Sequence, residues 1–503
     1  MASWRCLSYP MYVLLLISKY LRRKLAPLFA CLAVVLCTAM VIIVMSVMGG
    51  FLEMLRASAH RLSGDVIVRA GSITGFEGYE DLIDRLEALP EVAVATPVID
   101  VPGLVKIGRS SIPIAQVVGI EPGGYDAVVG YAETMYWGDE HRVAEFEHRF
   151  GPLVEQDEAV RAQRDRMGQM GFDRFGAELA VPELWRQWPQ ERRAVSGAIV
   201  PGIEVSPRNG RDEQGAYDFR YSLAREGDRV ILTVLPLTRS GGLLEPETRS
   251  FATVNEFKSG LYEVDANRVY VPLGVLQGML GMDEGVAVDE EGMPTGEVIP
   301  ARVTEVLVRS AEGVSLAAAA EAVRAAVNGW ELDRGTSVFV WTWEQKHGVL
   351  LSAVENERGL VTFLFAVISV VAVVMVATTF YMIVLEKTRD IGTLRAIGAS
   401  ASGIALVFLG YGLAVGIIGA GLGSALATLV VTNLNGIQEL LVALFGWRMW
   451  NPQTYYFDRI PDRVAVWDMA WVAAGAVVSS VAGALIPAVL AARQDPVETL
   501  RYE

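Results

Sequence analysis

The sequence predicts a membrane protein with four transmembrane α-helices and a large α+β exoplasmic (periplasmic) domain between the first and second spans. Hydrophobic residues make up 52% of the chain and the mean hydropathy is +0.35, which is too apolar for an ordinary soluble protein. Four long runs carry no charged residue near their centres, and about 20 apolar residues suffice to cross a bilayer. The stretch between the first two runs has the charged composition of a soluble domain.

The apolar runs and their basic flanks set the order of segments along the chain. Because Arg22, Arg23 and Lys24 precede the first run, and basic residues favour the cytoplasmic side, both termini are expected in the cytoplasm. The predicted segments are a cytoplasmic or interfacial elbow (1–24), transmembrane helix 1 (25–52), the periplasmic domain (53–357), transmembrane helix 2 (359–385), a cytoplasmic coupling helix (386–402), transmembrane helix 3 (403–431), a periplasmic loop (432–467), transmembrane helix 4 (469–492) and a cytoplasmic tail (493–503). The loop's aromatic residues predict an interfacial belt: Trp447, Trp450, Tyr455, Tyr456 and Phe457.

The soluble stretch divides into two end units and a middle. Alternating and helical patterns predict a strand–helix–strand unit at each end, which together would form a split subdomain near the membrane. The predicted elements are Asp65–Arg69, Tyr79–Leu89 and Val92–Ala95 in the first unit, and Thr304–Val308, Leu316–Val327 and Ser337–Val340 in the second. The region between them is expected to form a second lobe, with strands at Gly227–Leu232, Ser250–Val254, Phe257–Asp265 and Arg268–Leu273. Ala132–Gly197, rich in mixed charge and containing Trp137, Trp185 and Trp188, is expected to be an inserted helical excursion.

A short charged segment separates the second and third apolar runs. Ile391, Leu394 and Ile397 recur with helical spacing, while Lys387 and Arg395 fall on other faces. Two interpretations remain open from this pattern: a solvated connector, or a docking helix whose apolar ridge enters a groove on a partner.

This segment reads EKTRDIGTLRAIGAS from Glu386 to Ser400. It resembles the cytoplasmic coupling segment of the ABC-transporter permease family that includes the lipoprotein-releasing (Lol-type), MacB-type and FtsX-type proteins. The resemblance implies a separate ATPase subunit that docks here. The ATPase-coupling residues it implies are Glu386, Lys387, Arg389, Asp390, Ile391, Leu394, Arg395, Ile397 and Gly398.

The resemblance extends to the ends of the spans next to the soluble domain. The exit from the first span and the return to the second resemble the family's stalks, at Phe51–Arg61 and Trp343–Arg358. The stalk residues it implies are Met48, Gly50, Phe51, Glu357 and Arg358. In the third span, small residues at every fourth position predict close helix packing: Gly412, Gly416, Ala420 and Ser424, with a second row of Gly419, Gly423 and Ala427.

Charge and motif content narrow the possible activities. The net charge of -15 disfavours nucleic acid as a partner. The sequence has no phosphate-binding Gly-x-x-x-x-Gly-Lys-Ser/Thr run, no Gly-x-Ser-x-Gly elbow and no His-Glu-x-x-His. His141 and His148 lack a third ligand at fixed spacing, so no metal site is expected. We therefore expect a non-catalytic subunit without a cofactor of its own, whose partner ATPase binds ATP and magnesium.

The hypothesis is a permease subunit of the bacterial inner membrane that couples the partner's ATP hydrolysis to periplasmic motion, with release of lipoproteins as the transport step. By the resemblance, its partners are the ATPase, a second permease protomer (in a homo- or heterodimer), a periplasmic lipoprotein carrier and lipoprotein cargo. The alternatives are MacB-like export, FtsX-like transmembrane signalling to a cell-wall hydrolase, and a membrane-anchored exoplasmic enzyme.

Overall fold

The computed structural model describes residues 25–108, 110–154, 157–169, 171–181, 195–212, 215–224, 229–239, 241–288, 294–334, 337–446 and 463–494. The predicted elbow, most of the predicted tail, Trp185, Trp188, the loop aromatics from Trp447 to Phe457 and the side chain of Arg358 lie outside the described residues. The chain divides into two compact units: one contains Leu55–Leu351, and the other contains the described residues before Leu55 and all of those after Leu351.

The helices are α1 (Leu25–Arg61), α2 (Tyr79–Glu87), α3 (Pro122–Val129), α4 (Asp139–Val154), α5 (Glu158–Met167), α6 (Phe172–Ala177), α7 (Tyr262–Asn267), α8 (Leu273–Leu280), α9 (Leu316–Arg334), α10 (Trp343–Lys346), α11 (Gly348–Glu386), α12 (Thr388–Ala396), α13 (Ala401–Thr432), α14 (Leu434–Phe445) and α15 (Val466–Arg493). Four of them, α1, α11, α13 and α15, are long and apolar enough to cross a membrane. The soluble domain follows the first of these helices and precedes the second, so the predicted fold class is confirmed.

The strands are β1 (Val66–Ala70), β2 (Phe76–Glu77), β3 (Val92–Ile107), β4 (Ser110–Ile120), β5 (Ala198–Pro201), β6 (Arg229–Val234), β7 (Glu247–Thr253), β8 (Arg268–Pro272), β9 (Gly285–Val288), β10 (Pro294–Ile299), β11 (Arg302–Val303), β12 (Glu305–Ser310) and β13 (Val338–Thr342). Nine of them form one sheet in the order β13-β1-β12-β3-β4-β8-β5-β7-β6, and β6 also pairs with β3. That last pairing closes six strands into a ring.

The two end units meet in this sheet, as the split subdomain requires. Strand β1 lies between β12 and β13 and pairs antiparallel with both. The second lobe is not a separate sheet, because β3 serves both parts. Residues Val92–Val98 pair with β12, and Gly103–Lys106 pair with β6. At Gly103 a Cβ atom would lie 2.7 Å from Val117 Cγ2, so only glycine fits where the ring closes.

Two predicted segments differ from the structure. Phe257–Asp265 is not a strand but a turn leading into α7, because the buried Asp265 carboxylate accepts hydrogen bonds from the backbone N–H of Ser259 and of Gly260. Such local bonds compete with strand pairing. The predicted periplasmic loop contains a twelve-residue helix, α14. Within the predicted insertion, the described residues form helices α4, α5 and α6.

Candidate coupling site and stalk joint

The segment between α11 and α13 folds as its sequence dictates. Asp390 lies in the first turn of α12 and Arg395 in the last, which suits the helix dipole. The helix ends at Ala396, and Gly398, two residues later, has a φ of +105° in the left-handed region. The next amide, of Ala399, returns a hydrogen bond to the carbonyl of Leu394 at 3.0 Å. This is a glycine-terminated helix end.

One side of α12 is fixed to the chain's own helices. Ile391 is buried and packs with Val384, Ile404 and Ala491. Arg395 Nη1 donates hydrogen bonds to the backbone oxygens of Ala492 (3.1 Å) and Gln494 at the end of α15. A guanidinium that binds helix C-terminal carbonyls satisfies groups that the helix itself leaves unpaired.

The other side of α12 faces outward. Arg389, Asp390 and Ile397 are exposed, and Ile397 exposes 81% of its surface. Lys387 Nζ lies 2.6 Å from the Asp390 carboxylate. The predicted ridge of Ile391, Leu394 and Ile397 is therefore divided, with one end inside the chain, the half-buried Leu394 between, and the other end outside. The sequence pattern could not show this, because it does not say which side of a helix the chain itself covers.

The predicted packing rows lie at helix contacts within the membrane-type unit. A Cβ on Gly412 would lie 2.5 Å from Ala484 Cβ of α15, and one on Gly416 would lie 3.0 Å from Ser480 Cβ. Gly423 faces α1, where a Cβ would lie 2.8 Å from Thr38 Cβ. Ala420 is buried and Ser424 is partly buried. Small residues let these helices approach closely.

The predicted stalk residues lie on two continuous helices. Gly50 is buried in α1, with Met48 and Phe51 half-buried beside it. Glu357 is exposed on α11. At 1.5 Å per residue, α1 (37 residues) and α11 (39 residues) are about 55–60 Å long. The hydrocarbon core is about 30 Å thick, so both helices extend well beyond it.

Inside the Leu55–Leu351 unit, the two stalk ends meet at a joint centred on Asp65. Its carboxylate accepts a bond from the amide of Ser310 at 2.7 Å, lies 2.6 Å from His60 Nε2, and its backbone oxygen accepts from Trp343 N at 3.1 Å. Burial would raise the pKa of Asp65, but the bonds from His60 and Ser310 outweigh it and lower the pKa to about 2. The carboxylate is therefore charged at neutral pH.

A second contact of the joint holds the start of the α11 stalk. Lys346 Nζ lies 3.0 Å from the carboxylate of Glu305, whose side chain is only 2% exposed. Arg69 Nε lies 3.4 Å from the same carboxylate on the neighbouring strand. His347 is 2.9 Å from Ser63 Oγ. Burial, with nearby positive charges, lowers the pKa of His347 to about 4, so it is neutral here.

The joint residues had no signal in the sequence. Apart from His60 with Asp65 and Lys346 with Glu305, the pairs that form it lie more than 200 residues apart, as with Ser63 and His347 or Asp65 and Ser310. Only the sheet order, which places β1 between β12 and β13, brings them together. Neither the periodicity of residues along the chain nor a sequence motif could have predicted these contacts.

A buried carboxylate connects the inserted helices to the closed ring of strands. Glu256 is fully buried and accepts hydrogen bonds from Trp137 Nε1 (2.6 Å), Ser222 Oγ (2.7 Å) and Asn209 Nδ2 (2.9 Å). Burial outweighs these bonds and raises the pKa of Glu256 to about 7. Among the described residues, no three His, Cys, Asp or Glu side chains form a metal-binding group.

Two family models match the chain. Residues 28–144 match the MacB-like periplasmic core domain, and residues 362–496 match the FtsX-like permease C-terminal domain; together they account for about half of the sequence. The second match includes most of α11 and all of α12, α13, α14 and α15. The chain therefore combines a MacB-like periplasmic core region with the C-terminal domain of FtsX-like permeases. The resemblance in the coupling segment is thereby confirmed at the level of the family.

The permease is similar to curated proteins of lipoprotein-releasing systems. It is 27% identical to the transmembrane protein LolC of Neisseria meningitidis over 51% of its own length and 57% of the relative's. It is 29% identical to LolC of Xylella fastidiosa over 35% of its own length and 44% of the relative's. These matches span about half the length of the relatives. A solved structure of the MacB periplasmic region from Actinobacillus actinomycetemcomitans aligns with a TM-score of 0.29 at 10% identity, over 58% of the permease and 95% of that chain.

Proposed function

We propose that this permease is the membrane subunit of an ABC transporter and that it couples ATP hydrolysis by a separate ATPase to the release of lipoproteins from the bacterial inner membrane. The observation that carries the proposal is the two-sided α12. Ile391 and Arg395 fix it to α13 and α15, while Arg389 and Ile397 face outward. A partner that pushes on the open side would move the whole helix and its neighbours as a rigid body.

The proposal also defines the other subunits and partners of the assembly. The partner ATPase would bind ATP and magnesium, and this chain would contribute no cofactor. A second permease protomer, the same chain or a related one, would complete the membrane part. A lipoprotein as cargo is supported by the relatives, whose names describe lipoprotein-releasing systems. A periplasmic carrier would be its acceptor in this proposal. Both termini and α12 would lie in the cytoplasm, and the Leu55–Leu351 unit in the periplasm.

In this proposal, the joint at Asp65 and Glu305 connects the stalk helices to the sheet and so transmits their motion. Strands β1 and β13 are direct neighbours, and each adjoins one stalk helix in sequence. The contacts of His60, Lys346 and His347 add side-chain links at the same place. Displacement of either stalk would therefore be passed to the sheet rather than lost in a flexible linker.

An exposed apolar hairpin between β6 and β7 is the surface we assign to the carrier. Leu243 is 71% exposed, Leu244 48% and Leu235 46%. Exposed apolar residues that lie together, unlike singly scattered ones, are typical of an interaction surface. A carrier that accepts a lipid-anchored protein is a partner with matching apolar chemistry.

The proposal is tested by reconstituting the full chain with its ATPase and second protomer in vesicles that contain a lipid-anchored protein. ATP should move that protein into the soluble fraction when the carrier is present. Arg389→Glu and Ile397→Asp should lower ATPase co-purification at least tenfold. Ser402→Asp is the matched control, since it adds a charge at the first turn of α13, where a negative charge suits the helix dipole.

Two results would overturn the proposal. Undiminished ATPase co-purification with both outward variants would remove the docking role of α12. ATP-independent or absent transfer of the lipid-anchored protein, with the ATPase bound, would remove lipoprotein release while leaving a coupled permease.

A further inference from the structure

Helix α14 has one apolar side that the described residues cover only in part, because Leu434, Ile437 and Leu441 are half-buried and the rest of that side is exposed. Its apolar residues recur with i, i+3 and i+4 spacing: Leu434, Ile437, Leu440, Leu441, Leu444 and Phe445. The other residues of the helix are Asn435, Gly436, Gln438, Glu439, Val442 and Ala443, of which Val442 is apolar and half-buried. No residue of α14 is buried. Leu440, Leu444 and Phe445 are 57%, 66% and 74% exposed.

The position of α14 follows from the helices on either side of it. At 1.5 Å per residue, the 32 residues of α13 cover about 48 Å. A bilayer with its headgroups is about 40–45 Å thick. Because α13 starts beside α12 and only Asn433 separates it from α14, α14 begins at the opposite membrane surface.

Two tryptophans indicate the position of this membrane surface independently of the length of α13. Trp467 and Trp471, on the first turns of α15, are 72% and 65% exposed. Exposed tryptophans at the end of a span are typical of the membrane interface. Met469 lies between them, and its sulfur is 3.8 Å from Thr428 Oγ1, one turn before the end of α13. The end of α13 is therefore level with the interface.

We propose that α14 is a lipid-binding helix that lies in this interface, with Leu440, Leu444 and Phe445 inserted among the acyl chains. Leu422 and Leu429 of the preceding helix α13 are also exposed, at 56% and 63%, as expected of side chains that face lipid. Helices of this kind bury their apolar side about 5–10 Å into the headgroup boundary. Since α14 contains Glu439 and no basic residue, its binding uses apolar insertion and does not need anionic lipid. The inference stands independently of ATPase coupling at α12.

Nitroxide accessibility in vesicles tests the proposal. Single-cysteine variants Leu440→Cys, Leu444→Cys, Glu439→Cys and Ala443→Cys are made in the full chain after Cys6, Cys31 and Cys37 are replaced. In phosphatidylcholine vesicles, labels at positions 440 and 444 should favour collision with oxygen over a water-soluble nickel complex, at a depth of about 5–10 Å. Labels at 439 and 443 should show the reverse. Adding phosphatidylglycerol should change neither.

Three outcomes would refute the proposal. If the labels at 440 and 444 collided with the nickel complex as often as the label at 443, α14 would lie in water. Shielding from both reagents would mean a protein partner or a second copy. A need for phosphatidylglycerol would contradict apolar insertion.

A pair of neighbouring substitutions provides a second test that does not depend on folding yield. With the label at 440, Leu444→Asp should shift accessibility toward nickel, because a charge enters the apolar side. Ala443→Asp adds the same charge on the opposite side and should leave the label unchanged. A shift with both variants, or with neither, would contradict the orientation of α14.

Discussion

Removing the charge of Lys346 should loosen the joint at the start of the α11 stalk. Glu305 is 2% exposed, and Lys346 Nζ approaches it to 3.0 Å. Breaking a buried ion pair on one side costs about 3–5 kcal/mol, since the remaining charge is left without its partner. Arg69 stays 3.4 Å away and is 38% exposed, so it compensates in part. We therefore expect Lys346→Met to cost about 2–3 kcal/mol, at or just below the lower limit of that range.

Hydrogen exchange of the β12 and β13 amides in the full chain measures this cost. If these amides exchange by local opening, about 2–3 kcal/mol corresponds to roughly 30- to 150-fold faster exchange. Glu344→Gln, at an exposed neighbour, should change exchange by less than about 0.5 kcal/mol. Adding Glu305→Gln to Lys346→Met should recover most of the loss, because both charges are then gone. Unchanged exchange in Lys346→Met, or no recovery in the double variant, would refute the assignment.

Three further predictions concern pH and packing. The pKa of Glu256, near 7, lies above its usual 4.5, so the native state should lose stability as pH rises from about 4.5 to 7, by up to about 3 kcal/mol; Glu256→Gln should flatten that part of the thermal-unfolding profile. The pKa of Asp65, near 2, is below its usual value, so its contribution should be present at neutral pH and lost between about pH 4 and 2, whereas Asp65→Asn should lack this acid-side loss. Gly412→Val should lower thermal stability by about 1–3 kcal/mol, because even a Cβ meets Ala484 at 2.5 Å, while Gly421→Ala, with no atom within 4 Å, should be neutral.

The sequence predicted those parts of the fold that depend on local patterns. Long apolar runs predicted the four candidate spans, and the two strand–helix–strand patterns predicted elements that the structure unites in one sheet around β1. Ring closure depends on β3 pairing with β6 more than 120 residues later, which periodicity does not encode. Asp265 shows that short-range contacts can also escape the pattern. Its side chain accepts hydrogen bonds that form a turn where the pattern predicts a strand.

The candidate site divides in the same way. The position of α12 and its helical form could be predicted from Glu386–Ser400 alone, but not its orientation. That orientation is decided by Ile391 packing on Ala491 and by Arg395 reaching Ala492, about 100 residues away. The residues of Glu386–Ser400, on which the docking hypothesis rests, therefore serve two roles. Those on the inner side fix the helix, and only the outer side is open to a partner.

This division determines how a lever at α12 can work. If α12 were joined to the rest of the chain only through its two backbone ends, a partner that pushed on it would make it rotate. Its motion would then not be passed to the neighbouring long helices. Arg395 prevents such rotation, because its guanidinium joins α12 to the terminal carbonyls of α15 while Ile391 packs against α13 and α15. At the other end, Lys346 and Asp65 hold the stalk to β12 and β1 by the same combination of charge and burial. Force transmission through rigid helices requires both ends to be fixed. In the proposed mechanism, loosening either end should therefore uncouple ATP hydrolysis from periplasmic motion while leaving ATPase binding intact.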